Sequence, residues 1–178
     1  MAERNNSAAP PDAANPAMIV SRVFDAPREL VFAAWTDPAL VKRWWGASGF
    51  TVPSCTIDLK PDGRFDYHMR SAEGRDYRCA CVYREVSAPE RLVFTNRFVD
   101  ADGNPVPHPD LATWPRETLI TVTFAERAGK TTVTLTQIVA AGTAEERKTF
   151  EFARGGAAQF WTQSLERLAP ALSERQGA

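Results

Sequence analysis

Two hydrophobic periodicities divide this chain. From Phe50 to about Val139 apolar residues return at every second position, the spacing of half-buried strands; on either side they return every three or four, the spacing of helices. Met18 to Phe24 reads as a short strand. Asp25 then stands where an N-cap is expected, with Pro27 in the first helical turn, where its missing N–H is no loss. The predicted helix carries Leu30, Val31, Ala34 and Trp35 on its apolar face. Asp37-Pro38 repeats the start signal for a second short helix bearing Leu40, Val41, Trp44 and Trp45, and Gly46 and Gly49 release the chain into a loop. Adjacent helical positions lie about 100° apart. One of Trp44 and Trp45 is therefore expected in the core and the other at a pocket mouth or contact surface; the plainer alternative packs both under loops.

In the strand region Pro61-Asp62-Gly63 marks a turn, with Pro presetting φ and Gly taking positive φ. Phe65, Tyr67 and Met69 then alternate with Arg64, Asp66, His68 and Arg70. Glu73-Gly74, Ala88-Pro89-Glu90 and Gly129 separate further strands: Tyr77, Cys79, Cys81 and Tyr83 on one face of the first, then Leu92, Phe94, Asn96 and Phe98, then Ile120, Val122 and Phe124, then Val133, Leu135, Gln137 and Val139. Short turns between them imply antiparallel neighbours. The proline-rich stretch Asp100 to Arg116, with His108 and Trp114, breaks this rhythm. It reads either as a rim or lid over a cavity or as a tolerated insertion. After Gly142, Thr143-Ala144-Glu145-Glu146 matches a capping box. Phe150, Ala153, Ala157, Trp161, Ser164, Leu165, Leu168 and Leu172 follow at helical spacing. Gly155-Gly156 lies inside this helix, each glycine costing about 1 kcal/mol against Ala, which a kink or a close backbone approach would offset.

Composition narrows the function classes. The 178 residues suit one domain, placed at residues 18–172 between an N-terminal tail, 1–17, expected to be disordered rather than a signal peptide, and a short tail, 173–178. A net charge of -1 without a basic stripe argues against nucleic acid. No apolar run approaches the roughly 20 residues of a membrane span, so no membrane insertion is expected. Cys55, Cys79 and Cys81 are an odd count; Cys79 and Cys81, two apart on a strand, share a face at a spacing awkward for a mutual disulfide. Reduced thiols and a cytoplasmic setting follow.

Signatures of catalysis are scarce. Only His68 and His108 are histidines, there is no Cys-x-x-Cys, and no Gly-rich phosphate loop or Gly-x-Ser-x-Gly occurs. No metal and no cofactor are expected. His68 falls on the charged Arg64–Asp66–Arg70 face, read as solvated, and Asp66 and Asp76 lie there too. The thiols share a face with tyrosines and read as small packing groups. That inner face is more informative: Tyr67, Tyr77, Tyr83, Asn96 and Gln137 interrupt Phe65, Met69, Phe94, Phe98 and Leu135. An apolar surface with a few polar tips is how small-molecule sites are built, although a filled core is the alternative.

Three blocks carry a resemblance to a known family: Arg22-Val23-Phe24-Asp25-Ala26-Pro27-Arg28-Glu29-Leu30-Val31-Phe32 with Trp35-Thr36-Asp37-Pro38 and Arg43-Trp44-Trp45-Gly46; Asp58 to Phe65 with Glu85-Val86 and Pro89 to Thr95; and Trp161, Leu165 and Leu168. Together they resemble the bacterial branch related to the C-terminal domain of the activator of heat-shock protein 90 ATPase, in the SRPBCC superfamily with START domains and aromatic polyketide cyclases. The resemblance spans about Met18 to Leu172. It implies an α+β helix-grip fold: a curved antiparallel sheet of about six or seven strands around a long C-terminal helix, two short helices after the first strand, and a cavity between sheet and helix, without a family-wide catalytic set. Two departures stand out. Asp62 replaces the usual first glycine of its turn, and Phe160 stands where glycine usually precedes the closing tryptophan, so that a phenyl ring either fills part of the cavity or moves its floor toward Gly155-Gly156.

The leading expectation is a binding domain for a small hydrophobic or aromatic molecule. Its candidate contacts are Trp44, Trp45, Phe65, Tyr67, Met69, Tyr77, Cys79, Cys81, Phe94, Asn96, Trp114, Gln137, Gly156 and Phe160. A cyclase- or hydrolase-type enzyme is the alternative, with Tyr67, Tyr77 or His68 as acid or base. A co-chaperone-like interaction module ranks last, because the chain shows no counterpart of the family's separate chaperone-binding domain. Homodimerisation and contact with a chaperone stay open.

Overall fold

The computed structural model describes residues 15–177. Strand β1, Met18–Phe24, buries Met18, Val20 and Phe24 and turns Ile19 and Val23 outward. Helices α1, Arg28–Thr36, and α2, Pro38–Trp44, follow directly. Six further strands run in sequence: β2, Thr51–Ile57; β3, Arg64–Arg70; β4, Asp76–Ser87; β5, Arg91–Phe98; β6, Glu117–Arg127; and β7, Lys130–Ala141. Helix α3, Ala144–Gln176, closes the chain. All strand pairs are antiparallel, in the order β1-β7-β6-β5-β4-β3-β2, so β1 crosses over to pair with the last strand and everything else is a meander. The seven strands curl into a half-barrel that grips α3, with α1 and α2 closing one end. This is the α+β helix-grip architecture.

Local signals explain most element ends, and long-range contacts explain the rest. Asp37 caps α2 as its Asp-Pro spacing predicts, accepting from the Ala39 N–H at 2.9 Å. Asp25 does not cap α1. Pro27 occupies the cap position in an extended conformation (φ −66°, ψ 149°), which delays the helix to Arg28, and the Arg28 N–H is received instead by Glu126 Oε2 of β6 at 2.9 Å. A carboxylate from a distant strand thus does what the neighbouring one was expected to do. Thr143 and Glu146 form the full capping box of α3, and Glu146 also accepts from the Arg116 N–H at 3.4 Å.

The glycines depart from expectation in two places. At the β2–β3 turn it is Asp62 that takes positive φ, 61°, while Gly63 is needed for space: a Cβ there would stand 2.0 Å from the Asp58 carbonyl oxygen. Within α3, which is one unbroken helix, Gly155 and Gly156 meet no approaching backbone, since a Cβ at either finds nothing within 4 Å. The helix also runs through Pro170 and past Leu172, where a tail was expected. Of the N-terminal tail, residues 1–14 lie outside the described residues; Asn15 donates to the Val139 carbonyl and accepts from Arg147, both at 3.3 Å.

The core is densest at the α1–α2 end. Trp35, Trp44, Trp45 and Trp161 meet there with Phe65 and Phe124. Trp35 stacks on Trp161 with 6.2 Å between centroids and 15° between planes. Trp44 Nε1 donates to the Ala34 carbonyl at 2.9 Å, sewing α2 to α1. Arg167 of α3 reaches the carbonyls of Trp45, Gly46 and Ala47 at 3.3, 2.9 and 3.0 Å, tying α3 to the segment that leaves α2.

Two replacements separate these local effects in urea unfolding. Thr143→Ala should cost about 1 kcal/mol, the usual worth of a helix cap. Gly63→Ala should cost clearly more, because backbone must move. Equal shifts in the unfolding midpoint would contradict the close approach at Gly63.

Candidate ligand cavity

The C-terminal half of α3 lies on the sheet, and the first half does not. From Trp161 onward Ser164, Leu165, Leu168 and Leu172 are buried, whereas no residue between Phe150 and Trp161 is. Phe150 is propped on Trp114 of the 100–116 loop, with ring centroids 5.3 Å apart. Between these two touchdown points, about 16 Å of helix, α3 stands off the sheet as a roof. Beneath it is a cavity of about 480 Å³.

Its floor is the inner face of the sheet: Tyr67 and Met69 from β3, Tyr77 and Cys79 from β4, Asn96 and Phe98 from β5, Ile120 from β6 and Gln137 from β7. Its roof is Ala153, Gly156, Ala157, Phe160 and Trp161 of α3. Phe50 forms one side, and His108, Asp110, Leu111 and Trp114 of the loop form the other. Nine of the fourteen sequence candidates therefore line one space: Tyr67, Met69, Tyr77, Cys79, Asn96, Trp114, Gln137, Gly156 and Phe160. The other five, Trp44, Trp45, Phe65, Cys81 and Phe94, are packed in the core away from it, each no more than 1% exposed.

The two adjacent tryptophans are both fully buried, the alternative that packs the pair, and neither reaches the cavity as a ligand contact. The helix ends at Trp44, and Trp45 is already extended (φ −62°, ψ 135°), so the 100° helical offset does not apply to the pair. Phe160 does not fill the cavity. It lies at the wall, edge-on to Phe50 at 5.9 Å and to Trp161 at 5.8 Å.

Polar groups on the floor are joined across the sheet. Asn96 Nδ2 donates to Tyr67 Oη at 2.9 Å and to Cys81 Sγ at 3.3 Å. Gln137 Nε2 donates to Thr118 Oγ1 at 2.9 Å. Burial pushes the Cys79 thiol up to about 12 and raises Tyr67 and Cys81 as well, so these groups stay protonated at neutral pH. A neutral buried thiol is a poor nucleophile.

The loop supplies the residues that periodicity missed. His108 packs on Phe98 with centroids 4.5 Å apart, and its Nδ1 accepts from the Asp110 N–H at 3.0 Å. Burial lowers its pKa, favouring the neutral ring. Asp110 accepts from Tyr77 Oη at 2.5 Å and pairs with Arg75, tying the loop to the sheet, while Thr149 donates to Thr113 at 2.9 Å, tying it to α3. The loop is thus a wall of the cavity. No local sequence signal announced His108 or Asp110. The small residues Ala153, Gly156 and Ala157, at helical spacing among larger ones, were a signal for the roof.

His68, read as solvated, is 9% exposed on the outer face of the sheet, with Nε2 2.7 Å from Asp76 Oδ1. Arg70 shares that carboxylate at 2.7 Å, and Asp76 is held well below the usual carboxylate range, chiefly by its hydrogen bonds to Arg70 and His68. Asp66 pairs with Arg64 instead, so the two carboxylates do not act together. Among the described residues no three His, Cys, Asp or Glu side chains converge as a metal site, and no helix is long and apolar enough to cross a membrane.

A curled antiparallel sheet closed over by a long C-terminal helix, with a space between them, defines a helix-grip domain. The chain belongs to the family described as Activator of Hsp90 ATPase homolog 1-like protein, whose model matches residues 25–173. Solved structures agree. A solution structure of a protein from Arthrobacter aurescens is 26% identical, with 89% of this chain and 86% of that one covered and a TM-score of 0.73. The AHSA1 protein from Silicibacter pomeroyi is 25% identical over 90% and 99% of the two chains, TM-score 0.65. The fold is also that of protein NE0264 from Nitrosomonas europaea, 22% identical over 94% and 99%, TM-score 0.73. No curated protein matches.

A lowered His108 pKa has a definite sign. As pH falls below about 6.5, the ordinary histidine value, the unfolded chain takes up this proton before the folded one, so the stability held above that pH is lost as pH drops toward the folded pKa. His108→Gln should therefore flatten the fall in melting temperature between pH 7.5 and 5 relative to the parent protein. An unchanged slope would show that His108 titrates as an exposed residue.

Proposed function

We propose that this protein binds a small apolar molecule, aromatic at least in part, in the cavity between the sheet and α3. The observation that carries the reading is the roughly 480 Å³ space itself, walled by Phe50, Met69, Phe98, Trp114, Phe160 and Trp161 and interrupted by few polar tips. Aromatic walls supply affinity through burial and ring contacts. Cys79 and Tyr67 are neutral, burial disfavours a charge on His108, and the Asp110 carboxylate is engaged by Arg75 and Tyr77. A charged guest would find no free counter-charge among these groups, so a neutral one fits best. The 100–116 loop, held to β5 by one backbone bond from the Val106 N–H to the Phe98 carbonyl and otherwise by side-chain contacts, is the wall that would open for entry. Reduced, buried thiols are in keeping with a cytoplasmic setting.

His108 favours a second reading, an enzyme of the cyclase or hydrolase type. It is a titratable ring in the cavity wall whose Nδ1 is already engaged, leaving Nε2–H as its donor. The other acid–base candidates are weaker: His68 is outside the cavity, Tyr67 is locked in hydrogen bonds with its proton held more tightly, and Tyr77 is committed to Asp110.

Filling the cavity tests the first reading. Gly156→Phe places a ring from the roof where a Cβ meets nothing, so the fold should tolerate it and the helix should gain from losing a glycine. The parent protein purified from cells should carry an apolar adduct in native mass spectrometry, or take up 2-naphthol with a rise in melting temperature; the variant should do neither. Uptake unaffected by Gly156→Phe would place the ligand elsewhere.

A further inference from the structure

We propose that the ligand carries a neutral carbonyl group on its apolar body and that the carbonyl oxygen accepts a hydrogen bond from His108 Nε2–H in the loop wall, an assignment that rests on the binding reading above and narrows its substrate class.

The backbone of the loop fixes which ring nitrogen holds the proton. The Asp110 N–H can only donate, and it stands 3.0 Å from His108 Nδ1. Nδ1 is therefore the acceptor, and the neutral ring carries its hydrogen on Nε2. Burial lowers the pKa of this histidine, which favours that neutral form. Among the described residues no hydrogen bond uses Nε2. Nor is it sealed away: the side-chain polar atoms that lack both partner and surface lie on Arg22, Trp35, Trp45, Tyr83, Thr95 and Gln137, and none is on His108. The ring stands beside Phe98, Trp114 and Tyr77, at centroid distances of 4.5, 6.0 and 6.1 Å, and all four side chains line the cavity.

None of these neighbours is free to answer the donor. Phe98 has no acceptor, and the indole of Trp114 only donates. Tyr77 Oη is committed to Asp110, whose carboxylate also holds Arg75. Water can serve Nε2–H while it has access, but an apolar ligand drives water off this aromatic wall. A ligand offering only carbon there would leave the N–H unmet, which costs binding. A carbonyl oxygen meets the donor and asks for nothing more, since it accepts and does not donate. A hydroxyl would bring a proton of its own to a wall whose carboxylate is already engaged. A carboxylate would bring a second negative charge toward Asp110, into surroundings where burial disfavours charge. The carbonyl end of the ligand thus faces the loop, and its apolar body lies under α3 against Phe50, Phe160 and Trp161. Sites built around a polar group discriminate against analogues that lack its partner.

Two probes of one shape test this by calorimetry: 2-acetylnaphthalene and 2-isopropenylnaphthalene, which differ only in C=O against C=CH2. His108→Phe keeps a ring against Phe98 and removes the donor. Relative to the parent protein it should shift the ratio of the two dissociation constants by about fivefold or more in favour of the alkene. A loop loosened by the substitution weakens both probes alike, so the ratio carries the result. Should the variant fold poorly, long-range 1H–15N correlation on the parent reads the same contact, because His68, on the outer face, is the only other histidine. At neutral pH the His108 proton should sit on Nε2, and that nitrogen should shift with 2-acetylnaphthalene and not with 2-isopropenylnaphthalene. An unchanged ratio, a proton on Nδ1, or equal shifts with both probes would overturn the carbonyl assignment and leave the cavity reading intact. Binding of neither probe by the parent would remove both.

Discussion

The aromatic cluster at the α1–α2 end is the constraint from which the rest of the structure follows. Trp35, Trp44, Trp45 and Trp161 are drawn from the two short helices, the residue that ends α2 and the closing helix, and their rings pack at 4.8 to 6.2 Å. Side chains of this size bury enough apolar surface to dominate a core. Once Trp161 is seated among them, the helix beyond it is committed to the sheet through Leu165, Leu168 and Leu172. Arg167 then locks the junction by binding three successive carbonyls after α2. One end of the half-barrel is therefore solid, and the helix direction is set by that end.

An empty middle is the consequence. A long helix anchored at one end of a curved sheet touches it again where something rises to meet it, and here Trp114 does so beneath Phe150. Between those supports the roof is made of Ala153, Gly156 and Ala157, side chains too short to fill the gap. Their smallness maintains the cavity, and Gly156 makes sense in this light: it lines the space, and a Cβ there would collide with nothing. The helix gives up propensity there, and empty volume is what stands in its place.

Legibility in the sequence followed the range of the forces involved. Strand alternation, the Asp37 cap and the Thr143–Glu146 capping box are set by neighbours a few residues apart, and all are where the pattern put them. The antiparallel meander and the closing helix follow from the same signals. Failures came where a distant group intervened. Glu126, 98 positions from Arg28, supplies the contact at the start of α1 that Asp25 was expected to make. Trp45 left the helical frame because α2 ends one residue earlier than the apolar pattern does. On the floor of the site, period two sorted Tyr67, Met69, Tyr77, Cys79, Asn96 and Gln137 onto the right face. It could not say how far along each strand the solid core stops, so Phe65, Cys81 and Phe94, on that same face, sit beyond the cavity in packed core. The loop residues His108 and Asp110 have no period at all, and only the tertiary contacts of Tyr77, Arg75 and Phe98 place them.

Electrostatics then limits what this interior can do. Burial acts on three groups of the wall in the direction of neutrality: it raises the thiol of Cys79 and the phenol of Tyr67 and lowers His108. Charge is confined to Asp110, which meets Arg75 and Tyr77 where the loop joins the sheet. The phenol of Tyr67 and the amides of Asn96 and Gln137 can still exchange hydrogen bonds, because that requires no ionisation. What remains is a surface able to recognise shape and a polar tip at neutral pH, and it is held that way by the same dense packing that fixes Trp161 and lifts the first half of α3 off the sheet.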